Sequence, residues 1–111
     1  MFVMSRPLST YDVYKALSDA TRRQILSLLN EGNMSAADIF EQVSVSQSAC
    51  SQHLKILRDV GLVTQEQQSR TRIYKLTPKP LEEVQQWTSQ FDLFCTDRMS
   101  LLEQEMERDD G

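Results

Sequence analysis

Histidine, cysteine and glycine are scarce in this 111-residue chain, and each scarcity removes a class of function. A single histidine, His53, leaves no material for a histidine-rich metal site and little for histidine-based catalysis. Cys50 and Cys95 stand 45 positions apart without Cys-x-x-Cys spacing, which excludes a disulfide framework and a zinc knuckle. One histidine and two separated cysteines assemble no nucleophile–base pair, so an enzyme is not expected. The three glycines, Gly32, Gly61 and Gly111, build no phosphate-cradling loop. No apolar run approaches the roughly 18 residues of a membrane span. The opening Met-Phe-Val-Met is too short for the core of a signal peptide. With 40% hydrophobic and 25% charged residues, the chain reads as one globular domain over 1–111 with a cytoplasmic location.

Negative charge is what the chain has in excess, with a formal net of -4, but it is unevenly placed. Met1 to Leu81 carries ten Lys/Arg against seven Asp/Glu, a net of +3, whereas Glu82 to Gly111 carries two against nine, a net of -7. Between Ser44 and Leu76, Lys55, Arg58, Arg70, Arg72 and Lys75 face only Asp59 and Glu66. Phosphates respond to the local field, so overall acidity does not exclude nucleic acid.

The apolar spacing divides the chain. A first helix is expected from about Ser9 to Leu17, with Val13, Ala16 and Leu17 on one face. Ser18-Asp19 offers a cap for a second helix carrying Ile25, Leu26, Leu28 and Leu29, with Gly32 as a left-handed stop. Ser35-Ala-Ala-Asp38 resembles a capping box, and Ile39, Phe40 and Val43 supply the buried face of a short helix. After the turn at Val43-Ser44-Val45, Ser46 caps a helix with Cys50, Leu54, Leu57 and Val60 on one stripe, closed by Gly61. The period then changes. Residues 62–67 and 71–76 read as two strands around a polar tip, Gln68-Ser69-Arg70, the outline of a wing. Pro78 and Pro80 end the second strand, and 79–107 reads as one long helix of about 40 Å.

Three stretches then carry a resemblance: Lys15-Ala-Leu-Ser-Asp-Ala-Thr-Arg-Arg-Gln-Ile-Leu26, Val45-Ser-Gln-Ser-Ala-Cys-Ser-Gln-His-Leu-Lys-Ile-Leu-Arg-Asp-Val-Gly-Leu-Val63, and the hairpin through Tyr74-Lys75-Leu76. Together they are similar to the ArsR-type family of bacterial winged helix-turn-helix repressors. The resemblance implies a mainly α fold with a small β-hairpin, ordered α-α-α-α-β-β-α, dimeric, and a double-stranded DNA operator as partner. The paired cysteines that metal-sensing members carry on the short helix are missing from Ala36-Ala-Asp-Ile-Phe-Glu-Gln42, and the last helix has no histidine. The chain looks more like the subgroup without recognisable metal ligands. No cofactor, metal site or particular inducer is therefore implied.

In a helix-turn-helix, the N-terminal half of the second helix enters the major groove. The candidates there are Gln47, Ser48, Ser51, Gln52 and Lys55: glutamine pairs with adenine, serine serves either partner, and lysine reaches guanine or phosphate. Arg70 and Arg72 on the wing can reach the backbone or minor groove, although a charged turn also keeps an edge strand soluble. Arg22 and Arg23 stand at the positive end of their helix, where pairing with Asp19 competes with a phosphate contact. Cys50 and His53 share metal-ligand spacing, but Cys50 lies on the core stripe and His53 suits a hydrogen bond at the helix-turn-helix junction.

Leu81, Val84, Trp87, Phe91, Phe94, Leu101 and Leu102 form a stripe too long for one small domain to cover, so the last helix, with the first, is expected to dimerise. Cys95, beside Phe94 near that seam, admits a redox-sensing repressor, although Asp92 and Asp97 would raise its pKa. A winged helix that binds protein instead of DNA would more often place apolar residues at Ser48 or Ser51.

Overall fold

The computed structural model describes residues 12–92. Helix α1 (Val13–Leu17) begins at Asp12, whose carboxylate accepts from the Lys15 N–H at 2.8 Å. Positions 9–11, expected to open this helix, lie outside the described residues. Helix α2 (Ala20–Glu31) is capped by Asp19, which accepts from the N–H groups of Thr21 and Arg22 at 2.8 and 3.1 Å. These are two of the four donors a helix start leaves without an internal partner.

At Gly32 the chain departs from expectation. The residue is extended (φ 163°, ψ 158°) and not left-handed, so it leads straight into a strand, β1 (Met34–Ser35). Two residues display no period, so nothing in their own pattern announces this strand. It exists because a later strand, β3 (Thr71–Leu76), paired on its other side with β2 (Val63–Gln68), offers a free edge: Met34 pairs with Tyr74 and Ser35 with Ile73. The fold is therefore mainly α with a small three-stranded antiparallel sheet, ordered β1-β3-β2, where the sequence suggested only a hairpin.

Ser35 also caps α3 (Ala36–Gln42), its hydroxyl accepting from the Asp38 N–H at 3.1 Å. Ser46 does the same for α4 (Gln47–Asp59), accepting from the Ala49 N–H at 3.1 Å. Gly61 follows α4 with φ 83°. A Cβ there would meet only Pro80 Cγ at 3.7 Å, so the left-handed backbone, and not crowding, is what asks for glycine. Strands β2 (Val63–Gln68) and β3 (Thr71–Leu76) form the wing around Ser69-Arg70, with Ser69 itself at φ 60°. Ile25, Ile39, Leu57, Leu62 and Val63 are fully buried and join α2, α3, α4 and the base of the wing into one core. Burying each such side chain is worth roughly 1.5–3 kcal/mol relative to exposure.

Helix α5 covers Leu81–Ser89 and turns at Gln90. The helix expected over 79–107 is interrupted by this turn at Gln90 and Phe91, Asp92 is helical again, and everything from Leu93 lies outside the described residues. Thr88, Ser89 and Gln90 turn their side chains back to donate to the carbonyls of Gln85, Gln86 and Trp87, at 3.1, 2.7 and 2.9 Å. Side-chain donors of this kind compete with backbone N–H groups for helical carbonyls and favour a bend. Among the described residues no helix is long and apolar enough to cross a membrane.

Candidate nucleic-acid interface

Helix α4 is amphipathic in the way a reading helix requires. Cys50, Leu54, Ile56 and Leu57 are buried, and this holds one face to the core. Gln47, Ser48, Ser51, Gln52 and Lys55 are all exposed on the other. Their spacing, i, i+1, i+4, i+5 and i+8, keeps them on one side over more than two turns. Helix α3, the Val43–Val45 turn and the Ser46 cap fix where this helix begins. Lys55 Nζ lies 3.2 Å from Asp59 Oδ2, an exposed i,i+4 pair. Such pairs are weak in water and can be exchanged for phosphate.

On the wing, Arg70 stands in the two-residue turn and Arg72 lies opposite Gln67, both exposed. Gln67 Nε2 donates to the Ser69 carbonyl at 3.1 Å, which braces the tip. Lys75 differs: its ammonium is 3.4 Å from Glu66 Oε2 across the hairpin. The net basic contribution of the wing comes from its tip.

The basic residues of α2 serve structure. Arg22 is 8% exposed and donates from Nε to the Ala16 carbonyl at 2.8 Å and from a terminal nitrogen to the Lys15 carbonyl at 3.2 Å. Arg23 donates to the Leu17 carbonyl at 2.7 Å. Both guanidinium groups therefore cap the C-terminal end of α1. His53 makes its hydrogen-bond contact with the start of α2 and not within the helix-turn-helix itself, where the sequence suggested it, with Nδ1 3.0 Å from an Arg22 terminal nitrogen. The composition of this junction was legible in the sequence as charges at a helix start; the identity of its carbonyl partners was not.

Cys50 is buried, and burial pushes its thiol above the ordinary value, which disfavours the reactive thiolate. It lines a crevice of about 480 Å³ between α3 and α4, together with Ala36, Ala37, Phe40 and Leu54. Among the described residues no group of three or more His, Cys, Asp or Glu side chains is arranged to hold a metal ion.

Of the candidate dimer residues, Leu81 and Val84 are half-buried against the chain's own core, while Trp87 and Phe91 are 55% and 45% exposed. Tyr14, which the apolar spacing does not single out, joins them: its ring packs on Trp87 and its hydroxyl donates to the Glu83 carbonyl at 3.3 Å. Phe94, Cys95, Leu101 and Leu102 lie outside the described residues.

A capped, polar-faced helix behind a short positioning helix, flanked by a basic hairpin, defines a winged helix-turn-helix protein. Residues 19–65 match the family described as bacterial regulatory protein, arsR family. The transcriptional repressor SdpR of Bacillus subtilis (strain 168) is 36% identical over 80 residues, covering 72% of this chain and 89% of that protein. The arsenical resistance operon repressor of Staphylococcus xylosus is 37% identical over 81 residues, covering 73% and 76%. Among solved structures, an ArsR-like transcriptional regulator from Rhodococcus sp. RHA1 superposes with a TM-score of 0.66 at 28% identity, covering 86% of this chain and 88% of that one. The chain belongs to the arsR family of bacterial regulatory proteins: it is a DNA-binding transcriptional regulator and not an enzyme.

Proposed function

We propose that the chain is a transcriptional repressor that binds a palindromic operator as a homodimer, with one α4 in each of two successive major grooves. The observation that carries this reading is the exposed row Gln47, Ser48, Ser51, Gln52 and Lys55 on a helix whose opposite face is buried. Repression is supported by relatives that are themselves named repressors. In this reading Arg70 and Arg72 contact the DNA backbone or minor groove. Tyr14, Trp87 and Phe91 mark the dimer face, continued by the apolar positions of the tail. The cytoplasm, where operators are, is the corresponding location. Selection from random duplex DNA tests the reading. Enrichment of an inverted repeat with half-site centres about 34–36 Å apart supports it. Failure to enrich any sequence, or enrichment of a lone half-site, overturns the dimeric operator.

A further inference from the structure

We infer that Arg22 and His53 are positioning residues for DNA binding, a side-chain link that holds the recognition helix α4 to the corner between α1 and α2. The inference rests on α4 being the helix that reads DNA.

Arg22 lies in the first turn of α2, where the helix dipole disfavours a cation. Its burial adds a desolvation cost, so its partners have to compensate. Two of them are the carbonyls of Lys15 and Ala16, in the C-terminal turn of the five-residue helix α1. Another is His53 on α4, 31 positions away in sequence. A guanidinium has donors and no acceptor, so His53 Nδ1 must accept. The ring proton then sits on Nε2, which is 3.8 Å from Asp19 Oδ1. Asp19 in turn caps α2 by accepting from the Arg22 and Thr21 N–H groups. Three helices therefore meet at one polar cluster.

Apolar burial at Cys50, Leu54 and Leu57 keeps α4 on the core but is non-directional, so it fixes roll and slide less tightly than a hydrogen bond does. His53 adjoins Gln52 and lies two residues before Lys55, so the roll set at His53 is inherited by both. The planar fork of Arg22 suits this role, because its nitrogens reach α1 carbonyls and the imidazole together; a lysine ammonium is a single point. The same α1 carries Tyr14, in contact with Trp87 of α5. The cluster thus ties the reading helix to the face where the partner subunit is proposed to sit.

The test uses the full chain and a duplex recovered by selection on the wild type, with three variants. His53→Leu keeps bulk and removes the acceptor; His53→Gln keeps an acceptor; Arg22→Lys keeps charge and removes the fork. His53→Leu should lose about tenfold in affinity, and His53→Gln should stay within about threefold of wild type. Arg22→Lys should weaken binding while leaving the slope of log affinity against log salt unchanged. Long-range proton–nitrogen NMR of the only imidazole should show the Nε2–H tautomer in the wild type and a mixture in Arg22→Lys. Wild-type affinity in His53→Leu overturns the inference, as does an Nδ1–H tautomer in the wild type. A slope lowered by about one unit in Arg22→Lys would instead make Arg22 a phosphate contact, and also overturns it. If His53→Leu fails to fold, the glutamine and lysine variants and the tautomer still decide. If the wild type enriches no DNA, the operator reading fails, and the tautomer in the free protein judges the link separately.

Discussion

The indole of Trp87 on α5 meets the ring of Tyr14 on α1 edge to face, with centroids 6.2 Å apart and planes at 78°. Phe91 continues the cluster, its ring centroid 5.4 Å from that of the indole with planes at 70°. All three rings remain more than a third exposed. Edge-to-face pairs contribute about 0.5–1.5 kcal/mol beyond area burial, yet this cluster still presents aromatic surface to solvent. In the proposed dimer a second subunit covers it. Trp87→Ala should raise the dimer dissociation constant at least about tenfold and weaken operator binding in parallel. Truncation before Phe91 should leave a monomer or an aggregate. Sedimentation decides; a stable dimer from the truncated chain that binds normally would remove this face from the interface.

The wing makes a separate prediction. If Arg70 and Arg72 each neutralise a phosphate, replacing both with alanine should lower the slope of log affinity against log salt by roughly one unit for each phosphate left unneutralised. Titration of the double alanine variant at several salt concentrations measures this. An unchanged slope would take the wing off the DNA.

Gln52 should behave differently. Gln52→Ala is expected to cost on the order of 1–3 kcal/mol at the selected sequence with little change on random DNA. Equal losses on both duplexes would make Gln52 a residue that only positions the helix.

Asp19 links stability to pH. Its carboxyl is held below the ordinary value of 3.8 mainly by the hydrogen bond from the Arg22 N–H, with smaller help from His53, the Thr21 N–H and Arg22, against the opposing effect of burial. A carboxylate with a depressed folded pKa adds stability that is fully present above its unfolded value and is lost as pH falls through the folded one. Asp19→Ala should therefore destabilise by about 1 kcal/mol at neutral pH, the usual worth of a cap. The difference from wild type should shrink on acidification below the ordinary carboxylate range. Denaturant unfolding at both conditions checks it; a gap independent of pH would mean the carboxylate's charge contributes nothing.

Cys50 should resist modification. Because its thiol is buried and its pKa raised, a Cys95→Ser chain should react slowly with an alkylating reagent when native and fast when unfolded. Fast labelling of the native chain would show that the crevice between α3 and α4 opens.

Much of the fold was legible because it is decided within one helical turn. Asp19, Ser35 and Ser46 cap helices because each oxygen meets an N–H two or three residues on. Gly61 follows α4 because its own backbone is left-handed. The alternation of buried and exposed positions on α4 is a period any neighbour can read. What lay beyond the sequence is what distant segments decide for one another. Gly32 is extended and β1 exists because β3, some forty positions later, supplies an edge. Arg22 is a structural cation because α1 ends beside it and His53 arrives from 31 residues away. Tyr14 joins α5 because the helices cross there, its hydroxyl reaching a carbonyl 69 positions on. Local hydrogen bonding needs only the neighbouring residues, so sequence determines it. Strand partnership, the partners of a buried charge and the contacts of an aromatic face depend on which elements the core brings together, and only the tertiary structure decides that.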